Sequence, residues 1–206
     1  MNLADFDYHL PEELIGQNPI EPRDSCKLLV LDKKTGEISH LIFKDLLELL
    51  NSNYVFVLND TKVFPARLFG KKDTGGKTEI LLLKQKGINT FVCLVRGKVK
   101  LAQKLIFAKD LSAEVLKKLP DGEVELGFSL SGPDLLEKID KIGKTPLPPY
   151  IHSQKSETEL RQKYQTIYAK YSGSAAAPTA GLHFTPELLE NLKNKDVQIE
   201  YLTLHV

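Results

Sequence analysis

Little in this sequence lends itself to metal-dependent or disulfide-based chemistry. Two cysteines, Cys26 and Cys93, stand far apart with no CxxC spacing, the pattern of free thiols in a reducing compartment. The five histidines (His9, His40, His152, His183 and His205) are scattered without HxxxH or Cys/His spacing, so no metal site is expected. Loops of the GxGxxG or Walker type are missing, and so is GxSxG, which argues against nicotinamide, ATP and esterase chemistry. The N-terminus, MNLADFDYHLPEELIGQ, has neither a basic start nor an apolar stretch of the signal-peptide kind. The longest apolar runs are far too short to cross a bilayer. A soluble cytoplasmic protein without a membrane partner is the expectation, and a monomer is taken as its state.

What is present is ordinary globular composition: 206 residues, 42% hydrophobic and 27% charged, which excludes a disordered or collagen-like chain. That length allows one large domain or two small ones, each able to bury a core. The formal net charge of +1 hides an asymmetry. Between Lys62 and Lys109 stand twelve basic residues and only two acidic ones, Asp73 and Glu79, so this window carries +10 and the remainder −9. Charge gathered in one segment attracts a polyanion even on a nearly neutral molecule; a solvated lysine-rich sheet surface reads the same way.

Element order follows from periodicity and turn residues. KLLVLD (27–32) and EISHLIF (37–43) predict a hairpin turned at Thr35-Gly36. IFKDLLELL (42–50) has helical spacing, and YVFVL (54–58) is a candidate buried strand running into Asn59-Asp60-Thr61. From Ala66 the texture changes to short strands (KTEILLLK, TFVCLVRG, KLIFA, LSAEVLKKL, EVELGFSL), divided by Thr74-Gly75-Gly76, Lys86-Gly87 and Asp121-Gly122. Such a series, with no long helix in it, predicts a small β-barrel. The stiff TPLPP segment (145–149) makes its exit. Ser156-x-x-Glu159 then has capping-box spacing, and Leu160, Tyr164, Ile167, Tyr168 and Tyr171 predict one helix face ending at Gly173. Thr185 caps a second helix with Pro186 at its first position and Leu188, Leu189 and Leu192 inward; VQIEYLTLHV closes as a strand. The fold class expected is α/β: a mixed α/β parent domain of residues 1–65 and 146–206, with a small antiparallel β-barrel, 66–145, inserted in it.

Three loops have residues suited to chemistry. Asn59-Asp60-Thr61-Lys62 follows a strand directly, where ligands gather in open α/β sheets; it is equally a turn that satisfies its own backbone. Ala177 to Thr185 offers small residues for close approach, a helix N-terminus, the imidazole of His183 and the ring of Phe184 on which a base could stack. A tight turn feeding a capped helix would look the same. In Pro22-Arg23-Asp24-Ser25, Arg23 is suited to clamping a carboxylate or phosphate, or to pairing with Asp24 on the surface.

Taken in order, ADFDYHLPEELIGQNPIEPRDSCKLLVLD, VLNDTKVFPARLFG, KTPLPPYI, KYQTIYAK, AAPTAGLHFTPELL and TLHV give a chain that closely resembles the S-adenosylmethionine:tRNA ribosyltransferase-isomerases over essentially its whole length. The resemblance implies transfer, with isomerisation, of the ribosyl part of S-adenosylmethionine to 7-aminomethyl-7-deazaguanine at the tRNA wobble position. The product would be epoxyqueuosine, with adenine and methionine released. No permanently bound cofactor or metal is implied; S-adenosylmethionine is consumed as a substrate. The family fold implied is an α/β domain with an inserted β-barrel. On that basis His183 and Asp60 are expected to be catalytic, His183 as acid–base or adenine-contacting residue and Asp60 facing the sulfonium or the attacking ammonium. Asn59, Thr61, Thr179 and Thr185 would orient the sugar, Gly181 and Phe184 would line the site, and Arg23 or Arg67 would meet the methionine carboxylate or a phosphate. Lys71, Lys72, Lys77, Arg96 and Lys98 would hold the tRNA backbone. These assignments require Asn59–Lys62 and Thr179–Thr185 to surround one hollow. Lys62 stands where the family commonly has arginine, and members continue past TLHV with a glycine-rich stretch and a further C-terminal part. A non-catalytic tRNA-binding fragment using the basic barrel is the alternative.

Overall fold

A computed structural model of the protein describes residues 2–205. Strand β1 (Lys27–Leu31) pairs antiparallel with β2 (Ile38–Ile42). Their turn is built as its sequence predicts: Asp32 Oδ1 accepts from the N–H groups of Lys34 and Thr35, and Gly36 takes a positive φ of 76°. A 3-10 turn (Phe43–Asp45) leads into the single helical turn α1 (Leu46–Leu49), followed by β3 (Val55–Asn59) and β4 (Thr61–Val63).

Next comes the barrel. Strands β5 (Arg67–Lys72), β6 (Lys77–Gly87), β7 (Thr90–Arg96), β8 (Lys104–Ala108), β9 (Leu111–Lys118) and β10 (Glu123–Phe128) close on themselves in the order β10-β7-β6-β5-β8-β9, all antiparallel. Closure removes exposed strand edges. Alternation along the strands sends Leu68, Ile80, Leu82, Leu105, Val115 and Leu126 inside, all at most 1% exposed. The reversal after β6 falls one residue later than Lys86-Gly87 suggests, because Gly87 itself pairs with Thr90.

Helix α2 (Gly132–Ile142) follows the last barrel strand, in a stretch where the sequence reading expects no helix. Its signal lies in Leu135 and Ile139, one helical turn apart and both buried in the barrel's core cluster, behind Pro133 in the first turn. The expected mixed α/β architecture with a closed antiparallel barrel is what the chain forms.

Helix α3 (Glu157–Lys163) starts at Ser156 with the capping box intact. It does not run on to Tyr171, contrary to expectation. Gln165 leaves the helix to bond the backbone of Val63 in both directions, accepting from its N–H at 3.0 Å and donating to its C=O at 2.7 Å. Beyond it Tyr171–Ser174 forms β11, parallel to β4. Helix α4 (Pro186–Asn194) is capped by Thr185 Oγ1, which accepts from the Leu188 N–H. Strand β12 (Gln198–Leu202) closes the described chain parallel to β3, with Leu202 opposite Asn59; Val206, the last residue of the expected strand, lies outside the described residues.

A second core forms where Leu188, Leu189 and Leu192 of α4 meet Leu58 and Phe184, with Phe56 and Ile199 beside them. The candidate buried strand, β3, is therefore buried on one face only: Val55 and Val57 on the other are 53% and 58% exposed. Among the described residues no helix is long and apolar enough to cross a membrane. Leu126→Ala should cost about 3 kcal/mol, since the rigid barrel cannot collapse around the lost side chain. The check is the shift of its urea midpoint at unchanged slope.

Candidate active site

The turn holding His183 is shaped by what surrounds it. Thr179–His183 forms one 3-10 segment, and the next residue, Phe184, is 4% exposed. Its ring sits edge-on against Phe43 at 5.2 Å and Phe56 at 5.7 Å, with Tyr168 at 6.3 Å. Phe184 thus packs as an anchor of the second core, with its ring taken up by these neighbours. Gly181 has a steric reason to be glycine: a Cβ there would strike the Tyr168 hydroxyl and meet Thr166 Cγ2 at 3.0 Å. Thr185 caps α4 and donates through Oγ1 to Asp24 Oδ2 at 2.8 Å, so its hydroxyl is committed to the protein.

His183 and Thr179 look into a cavity of about 290 Å³. Pro19 and Ile20, Leu147 and Pro148, and the rings of Tyr150 and Tyr164 give it apolar walls; Arg23 and Lys163 also border it. The two wall segments are tied together through Gln17, which donates to the Tyr150 carbonyl and accepts from the His152 N–H. This mainly apolar hollow with few polar groups has the character of a small-molecule site. The His183 ring packs on Phe43 at 5.2 Å, and its Nδ1 lies 3.1 Å from Cys26 Sγ. Burial pushes the Cys26 thiol up, partly offset by a backbone N–H, with the nearby Asp24 charge acting in the same direction as burial.

Asn59, Asp60 and Thr61 are placed elsewhere. They lie at the carboxyl ends of the parallel strands and knit onto the residues after β12. Asn59 Nδ2 donates to the Leu204 carbonyl while its Oδ1 accepts from the Leu204 N–H. Thr203 Oγ1 donates to Asp60 Oδ1 at 2.6 Å, and Thr61 Oγ1 is 2.8 Å from His205 Nδ1. Asp60 is 7% exposed and Thr61 1%. None of Asn59–Lys62 lines the hollow that holds His183 and Thr179. Asn59–Lys62 thus stand outside that hollow, in a polar cluster of their own that Thr166–Tyr171 joins to it, the Lys170 N–H bonding the Asp60 carbonyl.

The arginines are also occupied. Arg23 donates to the carbonyls of Gln165 at 2.7 Å, Lys163 at 3.2 Å and Gln162 at 3.4 Å, closing the C-terminus of α3. Arg67 donates to the Leu147 carbonyl and pairs with Glu79 at 3.5 Å. Both read better as braces of the hollow's walls than as clamps for a ligand carboxylate. Of the barrel cations, Lys71, Lys77, Arg96 and Lys98 are exposed, whereas Lys72 is half-buried with Nζ on the Lys98 carbonyl. Sequence alone gave Cys26, Gln17, Tyr150 and Tyr164 no part in a site; the fold brings Cys26 to His183 and sets the other three in the walls of the same hollow.

Two outcomes follow from the packing around Tyr168. Gly181→Ala should destabilise the fold by about 1–3 kcal/mol through overpacking, and Tyr168→Phe should relieve part of that; denaturant melts of the four-member cycle measure it. Burial pushes the Tyr168 phenol up to about 12 from 10.0. A raised value means the folded state holds the proton more tightly, so this contribution is complete below pH 10 and is lost as pH rises toward about 12. Tyr168→Phe should flatten the loss of stability across that window, which melting temperatures at pH 9 to 12 will report.

Comparison with known proteins adds what geometry alone does not. A family model described as queuosine biosynthesis protein matches residues 3–206. The chain is 48% identical over 210 residues to the S-adenosylmethionine:tRNA ribosyltransferase-isomerase of Staphylococcus aureus (strain JH9), and 50% identical over 211 residues to that of Clostridium kluyveri. Each match covers 100% of this chain and 60% of the relative, so the chain spans about 60% of the length of these relatives. A solved structure, the S-adenosylmethionine tRNA ribosyltransferase from Thermotoga maritima, is 37% identical, with 98% of this chain and 58% of that chain covered and a TM-score of 0.40. With a family model spanning residues 3–206 and half-identical relatives along its whole length, the chain belongs to the queuosine biosynthesis protein family.

Proposed function

We propose that the protein takes part in a ribosyl transfer from S-adenosylmethionine to tRNA, in which the ribosyl part is passed, with isomerisation, to 7-aminomethyl-7-deazaguanine at the wobble position. Epoxyqueuosine is the product, and adenine and methionine leave. The observation that carries this reading is the apolar hollow holding His183 and Thr179, in a chain about half identical along its whole length to proteins of that name. S-adenosylmethionine is the donor substrate, no permanently bound cofactor is invoked, and the setting is the cytoplasm, with the protein a monomer. Residues 1–65 and 146–206 serve as the substrate-binding unit and residues 66–145 as an inserted barrel.

The reaction needs a proton moved beside the sulfonium or from the attacking amine, and help for the departing adenine. His183 is the residue of the hollow suited to either task. Thr179 supplies a hydroxyl for the sugar. Asp60, with Thr203 on its carboxylate, holds together the polar cluster at the strand ends.

A second reading, a tRNA-binding fragment without catalysis, draws on the barrel. Lys71, Lys77, Arg96 and Lys98 are exposed and gather where β5 and β7 end and β6 begins. Both readings expect salt-sensitive tRNA binding through this end.

Incubation with S-adenosylmethionine and a precursor-bearing anticodon stem-loop should release free adenine, and His183→Ala should lower the rate by about a hundredfold or more. Adenine release by the His183→Ala variant at the wild-type rate removes that residue from the chemistry, and no release at all favours the binding reading. Reversing the charge of Lys71, Lys77 and Lys98 together should flatten the dependence of log affinity on log salt by about 2–3 units. An unchanged slope in a filter-binding titration places tRNA elsewhere.

A further inference from the structure

His183 is an imidazole in the wall of the hollow with only one ring nitrogen engaged among the described residues. Its Nδ1 is 3.1 Å from Cys26 Sγ, and its Nε2 has no hydrogen-bond partner among the described residues. A neutral imidazole donates from one nitrogen and accepts at the other, so the group on Nδ1 decides what Nε2 offers.

Two constraints from opposite sides hold the sulfur and the ring together. The Cys26 carbonyl accepts from the Phe43 N–H at 2.9 Å, and the Phe43 ring packs on both His183 and Phe184. Two residues before Cys26, Asp24 accepts from Thr185, which lies two residues after His183. Cys26 and His183, 157 positions apart in the chain, are thus brought together by paired contacts in register. Direction follows from chemistry. The thiol is half-buried beside a carboxylate, an environment that keeps it protonated. A thiol proton on a basic ring nitrogen makes a better bond than an N–H on sulfur, which is a weak acceptor.

We infer that Cys26 is a positioning residue: its thiol donates to His183 Nδ1, keeps the ring proton on Nε2, and so presents His183 to the hollow as a hydrogen-bond donor. The ligand at that point must offer a lone pair, as a purine ring nitrogen does, and not an ammonium or an N–H. The inference rests on the reading of His183 as the residue that contacts substrate, and it chooses between the two roles set out for it. Neutral His183 polarises the departing base; it does not abstract the first proton.

The decisive measurement is the side-chain nitrogen NMR spectrum of histidine-labelled protein, recorded in mildly alkaline buffer. Wild type and Cys26→Ser, which retains a donor, should each show one tautomer with the proton on Nε2. Cys26→Ala should show a mixture of tautomers while its urea midpoint stays near that of the wild type. A proton on Nδ1 in the wild type, or an equally complete Nε2–H tautomer in Cys26→Ala, overturns the assignment. In the adenine-release assay Cys26→Ala should lose about five- to tenfold in kcat, with the S-adenosylmethionine KM little changed and Cys26→Ser restoring the rate. If no variant releases adenine yet the tautomers differ as described, the ribosyl-transfer reading fails and the positioning role of Cys26 stands.

Discussion

The burial of Phe184 is the contact on which the rest of the site depends. Its ring collects partners from three distant segments: Phe43 after the hairpin, Phe56 in β3 and Tyr168 in the turn after α3. Edge-on aromatic pairs of this kind each contribute about 0.5–1.5 kcal/mol beyond the area they bury. Together they fix the chain at the point where the 3-10 turn passes into α4. With Phe184 held inward, its neighbour His183 is left at the wall of the hollow, and Thr185 is set to cap α4 and reach Asp24. Gly181 supplies the remaining clearance, because the Tyr168 side chain occupies the space a Cβ would need.

A second constraint is the way polar groups at the strand ends satisfy one another. Asn59, Asp60 and Thr61 would be costly to bury alone. Leu204, Thr203 and His205 answer them almost group for group. The Thr179–Thr185 and Asn59–Lys62 loops therefore stabilise the molecule themselves, the first through the aromatic packing of Phe184 and the second through hydrogen bonds.

The fold also changes the meaning of the charge pattern. Along the chain, residues 62–109 carry twelve basic groups against two acidic ones. In the barrel, β9 and β10 bring carboxylates beside them: Glu114 stands opposite Lys104, and Glu123 opposite Leu94 near the end of β7. Glu79 takes both Arg67 and Arg96. The surface is a basic rim with acids interleaved, weaker at long range than the linear count implies, because opposite charges at close spacing cancel beyond a Debye length.

Features set by neighbours a few residues apart were legible in the sequence. The Asp32–Gly36 turn, the Ser156–Glu159 box, the Thr185-Pro186 start and the alternating barrel strands all depend on interactions spanning one to four positions. Tertiary structure alone decided what distant segments do to one another. Gln165 left a helical pattern because Val63, 102 residues away, offered two backbone bonds. Arg23 closed a helix 142 residues further on instead of waiting for an anion. Phe184 went into a core, Asp60 turned to Thr203, and Cys26 met His183. Such pairings leave no local trace, since their free energy comes from closing long loops around a shared core and from satisfying polar groups that the closure buries.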